Sequence, residues 1–183
     1  MRGAWPRSGG SPLVPDAEFD PQPILEVLAR HGVDFVLVGG LAGTAHGSAY
    51  ITGDIDVAYE RSRANLERLA AALTELSATL RGALPGLPFI LDAETLRAGL
   101  NFTFDTQFGS LDILGELAGA PRYEELRSAA SSETLWGVTI RIASLDHLIA
   151  MKEAAGRPKD KLMASEYRVI SDLLRAPKDE EAG

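Results

Sequence analysis

The sequence predicts an α/β fold, because strands and helices alternate along the first half of the chain. The first strand is a continuous apolar run, Phe35–Val38, which stops at two glycines and is typical of a buried strand entering a tight turn. The second strand, residues 54–59, begins with alternating acidic and apolar side chains. Helical patterns precede and follow these strands, so the order is helix, strand, short helix, strand and long helix.

The N-terminal elements follow from capping residues and glycines. Residues 1–21 mix Pro, Gly, Ser and Arg without periodicity, and we expect a disordered leader there. Asp20 is placed to cap a helix that begins at Pro21 and ends near His31. The two glycines after the first strand lead into a short helix over residues 41–46.

The middle of the chain predicts one long helix and three strands. Ser62 is the expected N-cap of a helix that runs through Leu80. After a break rich in Gly and Pro, residues 89–91 are predicted as a short strand. Residues 101–106 alternate and are followed by a turn, and residues 110–114 return as the second strand of a hairpin.

The C-terminal part predicts a hairpin and two helices. Residues 133–142 form the hairpin, interrupted by the turn Trp136-Gly137. Ser144 is placed to cap a helix that runs through Ala155, and a final helix follows Gly156 and ends at Leu174.

Length and composition predict one domain. The 183 residues are 45% hydrophobic, which suffices for one core with a helical extension. We expect a domain over residues 22–175, with a core of residues 22–142 and a C-terminal helical pair of residues 144–175. Residues 176–183 are predicted to be a frayed acidic tail.

Composition also limits the function. The chain has no cysteine, so disulfides and thiolate metal sites are excluded. Lys+Arg of 18 against Asp+Glu of 26 gives a net charge of −8, which argues against a broadly basic nucleic-acid-binding surface. No apolar run approaches the roughly 18 residues of a membrane span, so we expect a cytoplasmic protein with no membrane partner.

Three aspartates are the candidate metal ligands. Asp54 and Asp56 are two residues apart on a strand and therefore face the same way. Two carboxylates this close resist joint ionisation unless a cation lies between them. Asp112 has apolar neighbours on both sides, so it joins the same face if its strand pairs beside the first two. Together the three could hold two Mg²⁺ ions, or Mn²⁺ in their place.

Gly39 and Gly40 are the candidate phosphate-binding residues. They lie where a strand meets the start of a helix, so backbone N–H groups can point at an anion and the missing side chains let it come close. A triphosphate would suit this position. The alternative is a tight strand-to-helix turn that binds no ligand.

The motifs resemble the polymerase-β-like nucleotidyltransferase superfamily, and most closely its minimal AbiEii and MenA type toxins. The resemblance rests on three stretches: residues 38–42 (VGGLA), residues 46–47 (HG) and residues 52–56 (TGDID). It extends over roughly residues 35–174. It implies a palm-like short mixed sheet flanked by helices, and transfer of a nucleoside monophosphate from an NTP such as ATP to an acceptor hydroxyl with release of pyrophosphate.

The resemblance also implies roles for individual residues. Lys152 matches the family's helical lysine, which binds the β or γ phosphate, and Arg157 and Asp160 match its R-x-K-D motif, which assists phosphate binding. Asp54 and Asp56 would ligate both metal ions. Asp112 would lie at the ion that activates the nucleophile and could also act as base.

Two residues of the motif loop depart from the family. Tyr50 stands where relatives commonly carry Arg, and Gly53 where they carry a basic or polar residue, so the loop is less cationic. Thr52 in the same loop either hydrogen-bonds a phosphate or fixes the loop. The acid that follows the R-x-K-D motif in relatives is missing, since Leu162 and Met163 occupy that region.

The acceptor is left open by the sequence. The resemblance implies a tRNA 3′ end and a toxin role, with a cognate antitoxin as possible partner. A protein acceptor, as for antitoxin-type enzymes that act on a toxin, or an antibiotic acceptor keeps the same chemistry. The third alternative is a catalytically degenerate domain that binds nucleotide only, which the less cationic loop favours.

Overall fold

The computed structural model describes residues 19–84 and 89–176, which form a mixed sheet flanked by helices. Most of the leader and tail predictions therefore fall on residues outside this part of the chain. The strands are β1 (Phe35–Val38), β2 (Asp54–Tyr59), β3 (Thr79–Leu80), β4 (Asn101–Thr106), β5 (Gly109–Leu114), β6 (Ser131–Leu135) and β7 (Val138–Ile142). The helices are α1 (Pro21–Arg30), α2 (Gly39–Ala45), α3 (Arg63–Glu75), α4 (Ala93–Ala98), α5 (Tyr123–Ser128), α6 (Leu145–Ala155) and α7 (Pro158–Arg175).

The seven strands lie in the order β3-β4-β5-β2-β1-β7-β6. The central strand β2 pairs antiparallel with β1 and parallel with β5. Side chains on one face of β2 and β5 are fully buried, among them Ile55 and Ile113, and they belong to the same core as the buried faces of α1 and α3. The opposite face of these strands carries the aspartates.

The predicted helix caps are confirmed. Asp20 accepts a hydrogen bond from the Gln22 N–H at the start of α1. Ser62 and Ser144 cap α3 and α6 in the same way, through the first-turn N–H groups of those helices. The hairpin of β6 and β7 is confirmed as well, and its turn places Trp136 and Gly137 in the left-handed region, with φ of +49° and +78°.

The structure corrects the interpretation of residues 76–91. Helix α3 ends at Glu75 instead of Leu80, because Ser77 adopts φ of +53° and Thr79 and Leu80 pair with β4 as β3. Residues 89–91 form no strand. A turn in which the Asp92 N–H donates to the Ile90 carbonyl leads directly into α4, while the Phe89 ring packs 6.2 Å from that of Phe104.

Two short helices, α4 and α5, were not predicted, and α2 begins two residues earlier than expected. The C-terminal helical pair is confirmed: Gly156, with φ of +67°, ends α6, and α7 starts at Pro158. An ion pair joins Arg168 to Glu153, and another joins Arg175 to Asp146 at 2.7 Å. Among the helices of the described residues, none combines the length and the apolar character that crossing a bilayer requires.

Candidate active site

The sheet register brings the three predicted aspartates together. In the parallel pairing of β2 with β5, Asp56 lies directly opposite Asp112, and Asp54 lies one position along the same face. One carboxylate oxygen from each residue lies within 4.8 Å of the other two. The three side chains are partly buried. A carboxylate cluster of this size is the donor set that Mg²⁺ and Mn²⁺ prefer.

The cluster is electrostatically strained without a cation. Burial, followed by the negative charges of Asp54 and Asp112, raises the pKa of Asp56 to about 6, although Lys152 and Arg81 act in the opposite direction. Burial likewise raises the pKa of Asp112, against the attraction of the Arg81 guanidinium. The ionised state of these two carboxylates is therefore disfavoured in the metal-free protein.

A second observation also indicates that the three carboxylates suit a divalent cation. The Oδ1 atom of Asp112 is buried and has no hydrogen-bond partner among the described residues. Arg81 Nη2 lies 3.1 Å from it as an ion pair, but the contact lacks hydrogen-bond geometry. A buried carboxylate oxygen without a hydrogen-bond donor is unfavourable unless a cation satisfies it.

The glycines at the start of α2 make room for other site residues. Gly39 adopts φ of +68°, and a Cβ on it would overlap the Asp56 carboxylate. A Cβ on Gly40 would come within 2.8 Å of Thr52 Oγ1. Both positions therefore require glycine for close packing against β2 and the preceding loop, whether or not a phosphate binds there. Their role in phosphate binding stays a prediction.

Thr52 contacts a predicted metal ligand. Its hydroxyl donates a hydrogen bond of 2.6 Å to Asp54 Oδ1 and so fixes the orientation of that carboxylate. The loop before it is tied to α7, since Glu166 accepts hydrogen bonds from the Ser48 hydroxyl and the Ala49 N–H. These contacts favour the loop-fixing role of Thr52 over direct phosphate binding.

The cationic side of the site is organised by Asp160. Its side chain is 2% exposed, and its carboxylate lies 2.5 Å from Arg157 Nε and 3.3 Å from Lys152 Nζ. The hydrogen bond from Arg157 and the charge of Lys152 lower the pKa of Asp160 despite its burial. Lys159 is nearby, 5.8 Å above the Tyr50 ring. Arg157, Lys159 and Asp160 thus line the same cleft as the three aspartates, and their role in phosphate binding stays a prediction.

Arg81 is the site residue that sequence reasoning missed. It follows β3 immediately, one residue beyond the predicted end of the long helix. Its Nε donates 2.9 Å to Asp105 Oδ1, and its Nη2 approaches Asp112. Correct assignment of β3 would have placed this side chain near Asp105, but nothing in its local sequence separates it from other surface arginines.

Two clefts meet at these residues. The first, of about 330 Å³, contains the three aspartates, Gly40, Thr52 and the cationic residues 152, 157 and 159. The second, of about 290 Å³, shares Asp56, Lys152, Arg157 and Asp160 with the first. Its remaining wall is largely apolar with one acid, and consists of Val38, Gly39, Asn101, Leu114, Glu116, Leu117, Ala118, Leu148, Met151 and Ala155.

Comparison with known proteins identifies the fold. No family model matches the chain, and no curated protein sequence matches it. Among solved structures, the chain is similar to the lincosamide antibiotic adenylyltransferase LnuA in its lincomycin-bound form, with a TM-score of 0.56 and 13% identity over 81% of this chain and 94% of the other. It is also similar to a proposed nucleotidyltransferase from Thermotoga maritima, with a TM-score of 0.51 and 14% identity over 81% of this chain and 89% of the other.

These similarities confirm the predicted fold class. The chain has a nucleotidyltransferase fold, with the mixed sheet at its centre and the helical pair at its C-terminus. Because the sequence identities are low, these similarities identify the fold alone and do not identify the substrates.

Proposed function

We propose that the protein is a metal-dependent nucleotidyltransferase of the EC 2.7.7 type, which moves a nucleoside monophosphate from an NTP to an acceptor hydroxyl. The observation that supports this most strongly is the convergence of Asp54, Asp56 and Asp112 on one face of a nucleotidyltransferase-type sheet. Glycines on one side and paired cations on the other complete the cleft around them.

In the proposed reaction, the acceptor oxygen attacks the α-phosphorus, the bond from that phosphorus to the bridging oxygen breaks, and pyrophosphate leaves. Asp54 and Asp56 would hold two Mg²⁺ ions, with Asp112 on the ion nearer the acceptor; when bound, such ions neutralise the triphosphate and acidify the hydroxyl. Asp112 is the proposed acceptor of the hydroxyl proton, because its register position opposite Asp56 puts a carboxylate on the face where the acceptor would be activated.

The triphosphate is assigned to the first cleft. Lys152 lies at the junction of both clefts, and Arg157 is largely exposed beside it, so each can offer N–H donors to phosphate oxygens. Asp160 holds these two cations in place between turnovers. Tyr50 lies in the wall of the same cleft and offers a ring on which a base can stack.

For the acceptor, we propose a tRNA 3′ end, with a toxin role of the AbiEii and MenA type and a cognate antitoxin as partner, on the strength of the motif resemblance. Cytoplasmic location goes with this proposal. A small-molecule acceptor is the second candidate, because the second cleft is mainly apolar and carries the acid Glu116, which suits an amphipathic or cationic molecule better than a polyanion.

One experiment tests the chemistry and the acceptor together. Each α-³²P-labelled NTP is incubated with the protein, Mg²⁺ and total RNA, cell lysate or a panel of hydroxylated antibiotics. Label in RNA supports the tRNA proposal, label in protein the antitoxin-type alternative, and label in a small molecule the second candidate.

Asp56→Asn should reduce this labelling at least about 100-fold, because a metal ligand is lost. Asp146→Asn is the matched control, since that aspartate is exposed at the start of α6 and, among the described residues, forms an ion pair with Arg175 alone. Transfer by Asp56→Asn at the control's rate would refute the mechanism. Nucleotide binding by calorimetry without transfer to any acceptor would instead support the degenerate nucleotide-binding domain.

A further inference from the structure

We propose that Arg81 is a positioning residue that holds Asp112 in place and restrains cation binding at the carboxylate cluster. Arg81 reaches Asp112 from the edge of the sheet and places a positive charge beside a proposed metal ligand. The proposal rests on the proposed function for its kinetic consequence, whereas its effect on cation affinity depends only on the geometry of the cluster.

Hydrogen bonds to β4 fix the position of the Arg81 guanidinium, independently of Asp112. Its Nε donates to Asp105 Oδ1 at 2.9 Å, its Nη2 to the Phe104 carbonyl at 2.9 Å, and its backbone N–H to the Thr103 carbonyl at 2.9 Å. Strand β4 pairs along its length with β5, which carries Asp112. The guanidinium is therefore fixed relative to Asp112 by the sheet itself, and little motion is left to the side chain.

The contact between Arg81 and Asp112 is an ion pair without hydrogen-bond geometry. Arg81 Nη2 lies 3.1 Å from Asp112 Oδ1, but its hydrogen bond goes to the Phe104 carbonyl. Within residues 19–84 and 89–176, no hydrogen bond reaches the buried Asp112 Oδ1, and the side chain is only 18% exposed. The carboxylate is thus attracted and oriented by a neighbouring charge while its oxygen remains available to a cation, which needs to break no hydrogen bond.

The sign of the effect on cation binding follows from this arrangement. A fixed positive charge about 3 Å from a ligand oxygen repels any divalent ion that approaches the same carboxylate. Arg81 therefore weakens cation binding in the nucleotide-free protein, and the negative charge of an NTP is needed to offset it. A purely structural role for Arg81 makes no such prediction, because it would lower stability without strengthening cation binding.

The test is a titration of the nucleotide-free protein with Mn²⁺, followed by electron paramagnetic resonance of the free ion. Arg81→Met removes the charge and keeps an apolar stem, and we expect it to bind Mn²⁺ about tenfold more tightly than wild type. Arg81→Lys keeps the charge, so its affinity should stay within about threefold of wild type. Arg97→Met is the matched control, since the Arg97 side chain forms an ion pair with Glu94 and with no other residue in the described part of the chain, and the affinity of this variant should not change.

Two further variants make the result specific. Asp105→Asn removes a negative charge that partly offsets that of Arg81 and should weaken Mn²⁺ binding about two- to threefold, which also provides a test if Arg81→Met fails to fold. In an Asp112→Asn background, Arg81→Met should give a smaller gain, because the ligand nearest the guanidinium is missing while the positive charge still acts at Asp56.

The kinetic readout separates this proposal from the proposed function. At saturating Mg²⁺, Arg81→Met should lower kcat about tenfold and leave KM for the NTP nearly unchanged, since Asp112 is misoriented while the triphosphate contacts remain. If wild type transfers no nucleotide, the proposed function fails and the Mn²⁺ titration still decides the role of Arg81. Wild-type or weaker Mn²⁺ affinity in folded Arg81→Met overturns the proposal.

Discussion

Replacement of Asp56 by asparagine should stabilise the metal-free protein, although it removes a proposed metal ligand. Burial and the charges of Asp54 and Asp112 raise the pKa of Asp56 to about 6, from the ordinary aspartate value of 3.8. A carboxyl with a raised pKa is most favourable to folding below its unfolded pKa, and this contribution is lost as the pH rises through about 6. At pH 7 the folded protein therefore carries an unfavourable charge that asparagine lacks.

The size of the effect follows from the same shift. A difference of about two pKa units corresponds to about 3 kcal/mol at pH 7 and to roughly half of that at pH 5. Because side-chain amides in the cluster find imperfect partners, a net gain of about 1 to 3 kcal/mol is expected. For a chain of 183 residues this raises Tm by about 3 to 10 °C.

The assay is thermal unfolding of wild type and Asp56→Asn by circular dichroism, in EDTA, at pH 7 and pH 5. The difference in Tm should shrink at the lower pH. Addition of Mg²⁺ should raise the Tm of wild type and have little effect on the variant, because the ion binds the folded state through this carboxylate. A variant that melts at or below the wild-type temperature at pH 7 in EDTA would refute the electrostatic reasoning.

Three other substitutions test the packing around the site. Gly39→Ala should destabilise the fold by about 1 to 3 kcal/mol in a denaturant titration, because of the positive φ and the overlap with Asp56, and the wild-type midpoint would contradict this. Tyr167→Phe should be neutral or stabilising by up to about 1 kcal/mol in the same titration, since the buried hydroxyl has no hydrogen-bond partner among the described residues; a clear loss of stability would point to an unseen partner. Asp160→Asn should cost about 2 kcal/mol and raise KM for the NTP severalfold in a transfer assay, because Lys152 and Arg157 lose the carboxylate that holds them; unchanged KM would separate these cations from the triphosphate.

The carboxylate cluster was predictable from the sequence because local sequence patterns determine which face of each strand its aspartates occupy. Alternation along β2 puts Asp54 and Asp56 on one face, and the apolar neighbours of Asp112 fix which way that side chain points. The register that sets Asp56 opposite Asp112 is a pairing between distant strands, which no local pattern contains. The sequence could therefore indicate that the three meet, but not how closely.

Arg81 shows why the remaining part of the site escaped prediction. The residues before it continue the apolar spacing of α3, so the pattern extends the helix through Leu80. The helix ends at Glu75 because Ser77 takes a left-handed conformation that serine rarely adopts, and the next residues gain a pairing with β4. The pairing of β3 with β4 thus outweighed the helical periodicity of the sequence, and it places Arg81 beside the carboxylate cluster.

The charges around the site are compensated unevenly, and the imbalance falls where catalysis is proposed. Asp160 has Lys152 and Arg157, and Asp112 has Arg81, whereas Asp56 lies between two other carboxylates. Asp56 also lines both clefts, so it is the acid that an NTP and an acceptor would approach together. A protein selected for stability alone would replace or pair this carboxylate. The same substitution should therefore raise the melting temperature and abolish transfer, and observing both together would connect the strain in the fold to its function.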